Sequence, residues 1–304
     1  MSSLNAVLPI LLLSISLLLI LPSNASTIPS RSSLGVAKAA SVPFTFRNAT
    51  IEDVDDITTV FLDAFLPSPL WRYIRQFADK VHPLYTWTCH RDRLLAQFRN
   101  SGPELDWKVI TVQEPARERV VSFAFWEFPG TKPDGNHDDG VDAGGSSSYL
   151  SSLLSVHGSD SGSDSGISSS SSSPFNCSAH LDLNMTRVRH LADVMQESRE
   201  KYIDSIGRQI YLDLLATHPD WDGNGFASHH LRWGKGQLGR GGDDGGAGET
   251  LPLTLIATPA GYPLYVSEGF EGLRNVTVER LDGEGVLWQE VMKYEAESVG
   301  ADEL

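Results

Sequence analysis

Residues Ile210 to Gly234 read IYLDLLATHPDWDGNGFASHHLRWG. The stretch opens on Ile210, Tyr211, Leu212, Leu214 and Leu215, a short β-compatible run of the kind buried on both faces of a sheet. His218-Pro219-Asp220 ends the run, because proline lacks the amide that a central strand needs. Gly223-Asn224-Gly225-Phe226-Ala227 follows, and Ser228 to Trp233 can continue as a helix. Strand, glycine loop and helix together aim backbone N–H groups at an anion. Glycines permit close approach of a phosphate, and the helix dipole favours its negative charge. The residues alone therefore predict a phosphate-bearing ligand bound by main chain, or else a tight strand-to-helix turn with no ligand.

A dinucleotide fingerprint fits less well. Its third glycine is Ser228 here, and Asp243 and Asp244, at the spacing of a ribose-binding acid, lie in a Gly-rich loop. His218-Pro219-Asp220-Trp221 and Asp222-Gly223-Asn224-Gly225-Phe226-Ala227 instead resemble the coenzyme A pyrophosphate loop of the GCN5-related N-acetyltransferases. Downstream, Leu264-Tyr265-Val266-Ser267-Glu268-Gly269-Phe270 resembles that family's second motif. Two motifs in order, at a family-like separation, are more specific than one loop. The resemblance implies an α/β acyl-CoA N-acyltransferase fold: a mixed, mostly antiparallel sheet, splayed between strands four and five and flanked by helices. It also implies acetyl-CoA as co-substrate, no metal, and acetyl transfer to an amine of a small molecule or a protein.

Site residues follow from the resemblance in the same way. The backbone of Leu215, Ala216 and Thr217 is expected to pair with the pantetheine arm. Gly223, Asn224, Gly225, Phe226, Ala227 and Ser228 are expected to hold the pyrophosphate. Tyr265 matches the tyrosine that the family uses as general acid on the leaving thiolate; the other reading is a core tyrosine. Four positions depart from the pattern. Asp222 replaces the usual Gln or Arg. A carboxylate ~4 Å from the pyrophosphate would repel it by about 4 kcal/mol at an effective dielectric of ~20, so a working enzyme turns it outward. Thr258 stands where many members have an asparagine that contacts the coenzyme, and Gly261 where they have alanine. Leu253 replaces a glutamate that some members use as base. Asp213 and His218 are then the local candidates for the base, and each also reads as structural. These departures motivate a second reading, a CoA-binding or structural relative with impaired catalysis.

Outward from these motifs the chain has 304 residues and 40% hydrophobic content, enough for one large domain or two small ones. A net charge of −15 without a basic patch argues against nucleic acid as partner. Cys89 and Cys177 form neither a disulfide framework nor a zinc site by spacing, and each reads as a free thiol. Residues 1–26 read as a leader. Val7 to Leu21 is an apolar run short for a spanning helix and suited to a signal peptide, although no Lys or Arg precedes it. Retained, it would anchor the chain to a membrane. Asn24, Asn48, Asn176, Asn184 and Asn275 each begin an Asn-x-Ser/Thr site. Leader and sites point to the secretory pathway or a membrane anchor; the acetyl-CoA of the family's usual chemistry points to the cytoplasm.

Residues 27–42 read as linker and 43–298 as the catalytic domain, interrupted by Gly-, Ser- and Asp-rich insertions at 130–173 and 236–248. Phe44 and Phe46 alternate as a first strand. Thr50-x-x-Asp53 resembles a capping box, ahead of Val54, Ile57, Phe61 and Phe65 at helical spacing. Pro67, Pro69 and Pro83 predict turns around Leu70 to Phe77, before a helix over Arg91 to Arg99. Trp71, Tyr73, Tyr85 and Trp87 are core aromatics or part of an acceptor wall. Trp107 to Gln113 and Arg119 to Phe128 predict a hairpin. Leu191, Val194, Met195, Ser198, Tyr202 and Ile206 predict a helix ended by Gly207, and Val276 to Arg280 and Val286 to Lys293 the closing strands.

Overall fold

The strand read in Ile210 to Thr217 lies at the middle of a sheet in the computed structural model, which describes residues 42–129, 173–239 and 250–296. The leader at 1–26, the linker short of Val42, and the insertions over 130–172 and 240–248 lie outside the described residues.

In chain order the first half comprises β1 (Thr45–Asn48), α1 (Val54–Phe65), α2 (Pro69–Ile74), α3 (Tyr85–Arg99), β2 (Leu105–Gln113), β3 (Glu118–Glu127) and α4 (Met185–Tyr202). The second comprises β4 (Ile210–Thr217), α5 (Phe226–Lys235), β5 (Leu253–Ala257), α6 (Tyr262–Ser267), β6 (Glu271–Glu279) and β7 (Val286–Tyr294). The strands form one sheet in the order β1-β2-β3-β4-β5-β7-β6. Every pairing is antiparallel except β4 with β5. That parallel pair extends only over Ile210–Leu212 against Leu253–Leu255, after which the two strands part. The mixed sheet, its single parallel pair and the opening beyond it constitute the expected acyl-CoA N-acyltransferase fold.

Local chemistry accounts for the element ends. The Thr50 N–H donates to Asp53 Oδ2 at 2.7 Å in the expected capping box, and Arg47 grips the same carboxylate at 2.6 and 2.9 Å. The turn expected around Leu70 is instead the short helix α2. Ser68 caps it by accepting from Trp71 N–H, and Pro69 occupies its first position, where no amide is needed. α3 begins at Tyr85, six residues before the expected Arg91, because Tyr85, Cys89 and His90 bury one face of a segment with weak helix propensity. Asn184 caps α4 through Oδ1, and Gly207, at φ 88, turns the chain into β4. Leu238, inside the stretch read as a second insertion, is buried, and its carbonyl accepts from Leu251 N–H at 3.0 Å.

The free-thiol expectation is corrected. Cys89 in α3 and Cys177 are joined by a disulfide, their Cα atoms 5.1 Å apart across a sequence separation of 88. Spacing along the chain carried no sign of this, because the fold lays residues 173–184 back on α2 and α3. The Tyr85 hydroxyl donates to the Asn176 carbonyl at 3.1 Å and accepts from Leu181 N–H at 3.0 Å. Asp182 accepts from Arg75 and from Thr86 Oγ1. Three of the four aromatics weighed for the acceptor wall do structural work. Tyr73 accepts from Leu281 N–H, Tyr85 fastens this segment, and Trp87 Nε1 donates to Thr59.

Candidate functional site

Asp213 marks the point where β4 and β5 separate. The β3–β4 ladder pairs Trp126 with Leu212 and Phe125 with Leu214, which leaves Asp213 as an extra residue in β4. A regular strand would place Leu212 and Leu214 on one face. Across the bulge they part: Leu212 joins the cluster with Tyr265 and Phe270, and Leu214 packs with Phe61, Trp71 and Ala216 under α1 and α2. The strands diverge around a cavity of about 1020 Å³ bordered by residues of both clusters. Its lining includes Thr217, Asp222 and Ala227 next to the glycine loop, and Phe65, Trp71 and Met195 from α1, α2 and α4.

The glycine loop runs between two of these lining residues, Asp222 and Ala227. Gly223 and Gly225 both sit at φ 77, a left-handed backbone that side chains disfavour. No atom lies within 4 Å of where a Cβ would stand on either, so the space over the loop is open to a ligand. Gly225 immediately precedes α5, whose first turn presents the N–H groups of Phe226, Ala227 and Ser228 without intrahelical partners. Asn224 holds the loop through Nδ2, which donates to the Trp221 carbonyl at 2.9 Å. Beyond Leu212 the β5-facing edge of β4, through Leu215, Ala216 and Thr217, pairs with no strand among the described residues. Open backbone and helix N-terminus together suit an extended arm ending in a pyrophosphate.

No family model matches this chain. No curated protein matches it either. Among solved structures it is similar to histone acetyltransferase HPA2 and related acetyltransferase from Corynebacterium glutamicum, at 18% identity over 84% of this chain and 99% of that one, TM-score 0.44. It is similar to the ribosomal-protein-S18-alanine N-acetyltransferase of Escherichia coli, at 11% identity over 86% and 99%, TM-score 0.40. It is also similar to Arabidopsis thaliana NAA60 in complex with acetyl-CoA, at 12% identity over 83% and 98%, TM-score 0.41.

Tyr265, in α6, lines the cavity and packs edge-on to Phe270, ring centroids 5.7 Å apart. Burial pushes its hydroxyl pKa above the ordinary tyrosine value, so it stays protonated and able to donate. Thr258 also lines the cavity, but its hydroxyl accepts from Gly261 N–H at 3.3 Å and holds the turn into α6. Lys235 pairs with Glu268 at 3.0 Å and so ties α5 to the end of α6; what Ser228 offers a ligand is its backbone. Gly261 leaves room for the Tyr265 ring, which would lie 3.0 Å from an added Cβ.

The two candidate bases separate. Asp213 lines the cavity at the bulge. His218 is buried and is not part of the cavity wall. Its Nδ1 accepts from Asp220 N–H at 3.2 Å, which leaves Nε2 to donate to Asp63 at 3.1 Å. It caps the turn Pro219–Trp221, so its role is structural. Asp222 is exposed at the cavity mouth.

Sequence reasoning missed Arg199 and Gln289, which also line the cavity. Arg199 lies over the Tyr211 ring at 4.3 Å and pairs with Glu127 at 2.6 Å. Burial opposes its charge, but the Glu127 hydrogen bond and the neighbouring Tyr211 and Asp213 groups carry its pKa upward. Burial, then the Asp213 charge, raises the Tyr211 pKa and keeps that hydroxyl protonated. A signal for Gln289 existed: it is the polar residue at an inward position of β7, between buried Leu287 and Val291.

Proposed function

We propose that this protein is an acetyl-CoA-dependent N-acetyltransferase. One observation carries the reading: β4 leaves β5 after Leu212 and opens a cavity from the glycine loop to the wall of α1, α2 and α4. A thioester arm laid along Leu215–Thr217, with its pyrophosphate at Gly223–Ser228, ends beside Asp213. The acceptor then approaches from the side of Trp71 and Met195. Its N–C bond forms as the thioester C–S bond breaks. Of the two protons the ammonium gives up, one leaves to solvent and one reaches the sulfur, for which Tyr265 is the positioned donor. Asp213, or a water beside it, receives the first. The exposed carboxylate of Asp222 favours a weaker grip on the coenzyme, the form in which the impaired-relative reading survives.

The compartment belongs to the same proposal. A disulfide persists where the surroundings are oxidising. Together with the leader and the Asn-x-Ser/Thr sites, it supports a lumenal or extracellular location supplied with acetyl-CoA.

Calorimetry with acetyl-CoA and desulfo-CoA tests binding, and thiol release across an amine panel tests turnover. Both cysteines are held in the disulfide, so the protein itself adds no thiol background. Absence of binding at millimolar ligand would end the acetyltransferase reading. Binding without turnover of any amine would leave the impaired relative.

A further inference from the structure

We propose that the Cys89–Cys177 disulfide is a redox switch on the acceptor side of the cavity. Closed, it braces α2 into the cavity wall; opened, it releases residues 173–184 and α2 together. That this wall takes the acceptor rests on the acetyltransferase reading. α2 gives the wall Pro69, Leu70, Trp71 and Ile74. A helix of six residues does not hold itself, so its neighbours must fix it. Residues 173–184 supply several of the ties. Asn184 N–H donates to the Ile74 carbonyl at 2.8 Å, and Phe77 N–H to the Asp182 carbonyl at 3.2 Å. The Asp182 carboxylate pairs with Arg75, whose guanidinium lies over the Trp71 ring at 4.0 Å. The two side chains of that pair are only 5% and 4% exposed. If Asp182 leaves, Arg75 becomes a buried cation without its carboxylate and has to move to water. Trp71, in the cavity wall, then loses the group stacked on it.

Without the disulfide, residues 173–184 are poorly equipped to stay in place. Their one regular element is the three-residue turn Cys177–Ala179. His180 follows at φ 47, a left-handed backbone that is costly for histidine. Of the large apolar side chains, Leu183 is buried, Phe175 half-buried and Leu181 exposed. Segments with so little buried apolar surface are the first to open locally. The sulfurs are unequally open, because Cys89 is buried in α3 and Cys177 is half-buried. An external dithiol therefore meets Cys177 first. Its thiolate attacks Cys177 Sγ, the S–S bond breaks, and Cys89 leaves as a thiolate that takes up a proton. The reagent's second thiol then displaces Cys177. The reagent ends as a cyclic disulfide, and the two protons it gives up balance those gained by Cys89 and Cys177. The ties named above end on α2 and on the turn after it, and none reaches the glycine loop, so coenzyme binding should not follow the switch.

Hydrogen exchange read by mass spectrometry tests the switch without turnover, on three forms: the oxidised protein, the protein treated with dithiothreitol, and the double variant Cys89→Ser with Cys177→Ser. Amides in residues 69–77 and 173–184 should exchange about tenfold faster or more in the last two, while those of β4 and α5 keep their protection. The Kd of desulfo-CoA should change by less than about twofold. For an amine that turns over, with its N-acetyl product measured by mass spectrometry, KM should rise by about tenfold. Reoxidation should restore the first form, and the double variant should ignore the dithiol. Unchanged exchange in residues 69–77 on reduction overturns the proposal. So does a loss of protection that spreads to β4 and α5 with loss of desulfo-CoA binding, because the disulfide would then hold the whole domain. Either result, with desulfo-CoA bound by the oxidised protein, leaves the acetyltransferase reading in place. Failure of the oxidised protein to bind desulfo-CoA overturns that reading and the acceptor-side role together.

Discussion

Tyr265 is 8% exposed, and burial keeps its hydroxyl protonated. A core tyrosine and a proton donor make different demands on that hydroxyl, and removing it separates them. Tyr265→Phe keeps the ring and its contact with Phe270. If the hydroxyl protonates the departing thiolate, kcat should fall by about 10²-fold, with little change in coenzyme affinity. A variant that lost thermal stability and kept its kcat would show that the group is packing. Asp222 poses the opposite question, because its charge hinders binding if it reaches the pyrophosphate. At ~5 Å through a water-like dielectric of ~80 the repulsion is about 1 kcal/mol per unit charge. Asp222→Asn should therefore tighten acetyl-CoA binding by about fivefold in low salt, with the gain fading as salt rises. Equal affinity of the two forms at low ionic strength would show that the side chain points away. Both residues were legible in the sequence, because each sits in a motif with a fixed backbone role. Gln289 was harder to read, since an inward glutamine in an alternating strand looks like any other until its neighbours are known.

At the scale of the element, β4, the glycine loop and α5 could be read from the order of apolar, proline and glycine residues. The bulge at Asp213 could not, because it is a property of two strands in register and the sequence shows one at a time. The Cys89–Cys177 link was hidden for the same reason, and a start at Tyr85 for α3 was hidden by residues whose helix preference is weak. α5 contains a further case in which packing and propensity disagree. Gly234 lies in its last turn and is buried against Trp126 of β3. Helix propensity alone says that Gly234→Ala should gain about 1 kcal/mol. A Cβ there would stand 2.3 Å from the Trp126 indole, which is fully buried and has nowhere to move. Overpacking of that kind costs about 1–3 kcal/mol, so the variant should be less stable by denaturant titration. A stabilised Gly234→Ala would mean that α5 can shift off the sheet. Such a shift would also move the N–H groups at its other end, so the coenzyme Kd should be measured alongside.

Among the described residues, two of the buried histidines, His90 and His230, have titration that reaches global stability. Burial, helped by the His229 charge, lowers the His230 pKa to about 3. Burial, helped by Arg75 and Arg93, holds His90 well below its ordinary value. Unfolded imidazoles titrate near 6.5, so between about 6.5 and 3 the unfolded chain binds more protons than the folded one. Stability is thus full above about pH 6.5 and falls as pH drops through that window, by up to about 1.4 kcal/mol per pH unit for His230, and His90 acts in the same direction. His230→Leu should flatten the slope of unfolding free energy between about pH 6 and 4.5. An unchanged slope would assign the acid sensitivity to other groups. The disulfide acts on the same global stability by another route. Across a separation of 88 residues, a chain-entropy account assigns it about 4–5 kcal/mol, which the chain realises only where thiols can oxidise. The Asn-x-Ser/Thr sites divide by structure. Asn48, Asn176 and Asn275 are exposed, whereas Asn184 is half-buried, caps α4 and donates to Gln76 Oε1 at 2.7 Å. A glycan on Asn184 would compete with that bond, as one on Asn275 would with its Nδ2 bond to Glu290 Oε2 at 3.0 Å, but at the exposed Asn48 and Asn275 it would have room in solvent. Expressed with residues 1–26 in a eukaryotic host, the chain should run faster after glycosidase, and Asn48→Gln, Asn176→Gln and Asn275→Gln together should remove most of that shift. It should also expose two titratable thiols only after reduction. A product of full mass, free of glycan and with both thiols reactive from the start, would place the domain in a reducing compartment and leave Cys89 and Cys177 as neighbours that do not bond in the cell.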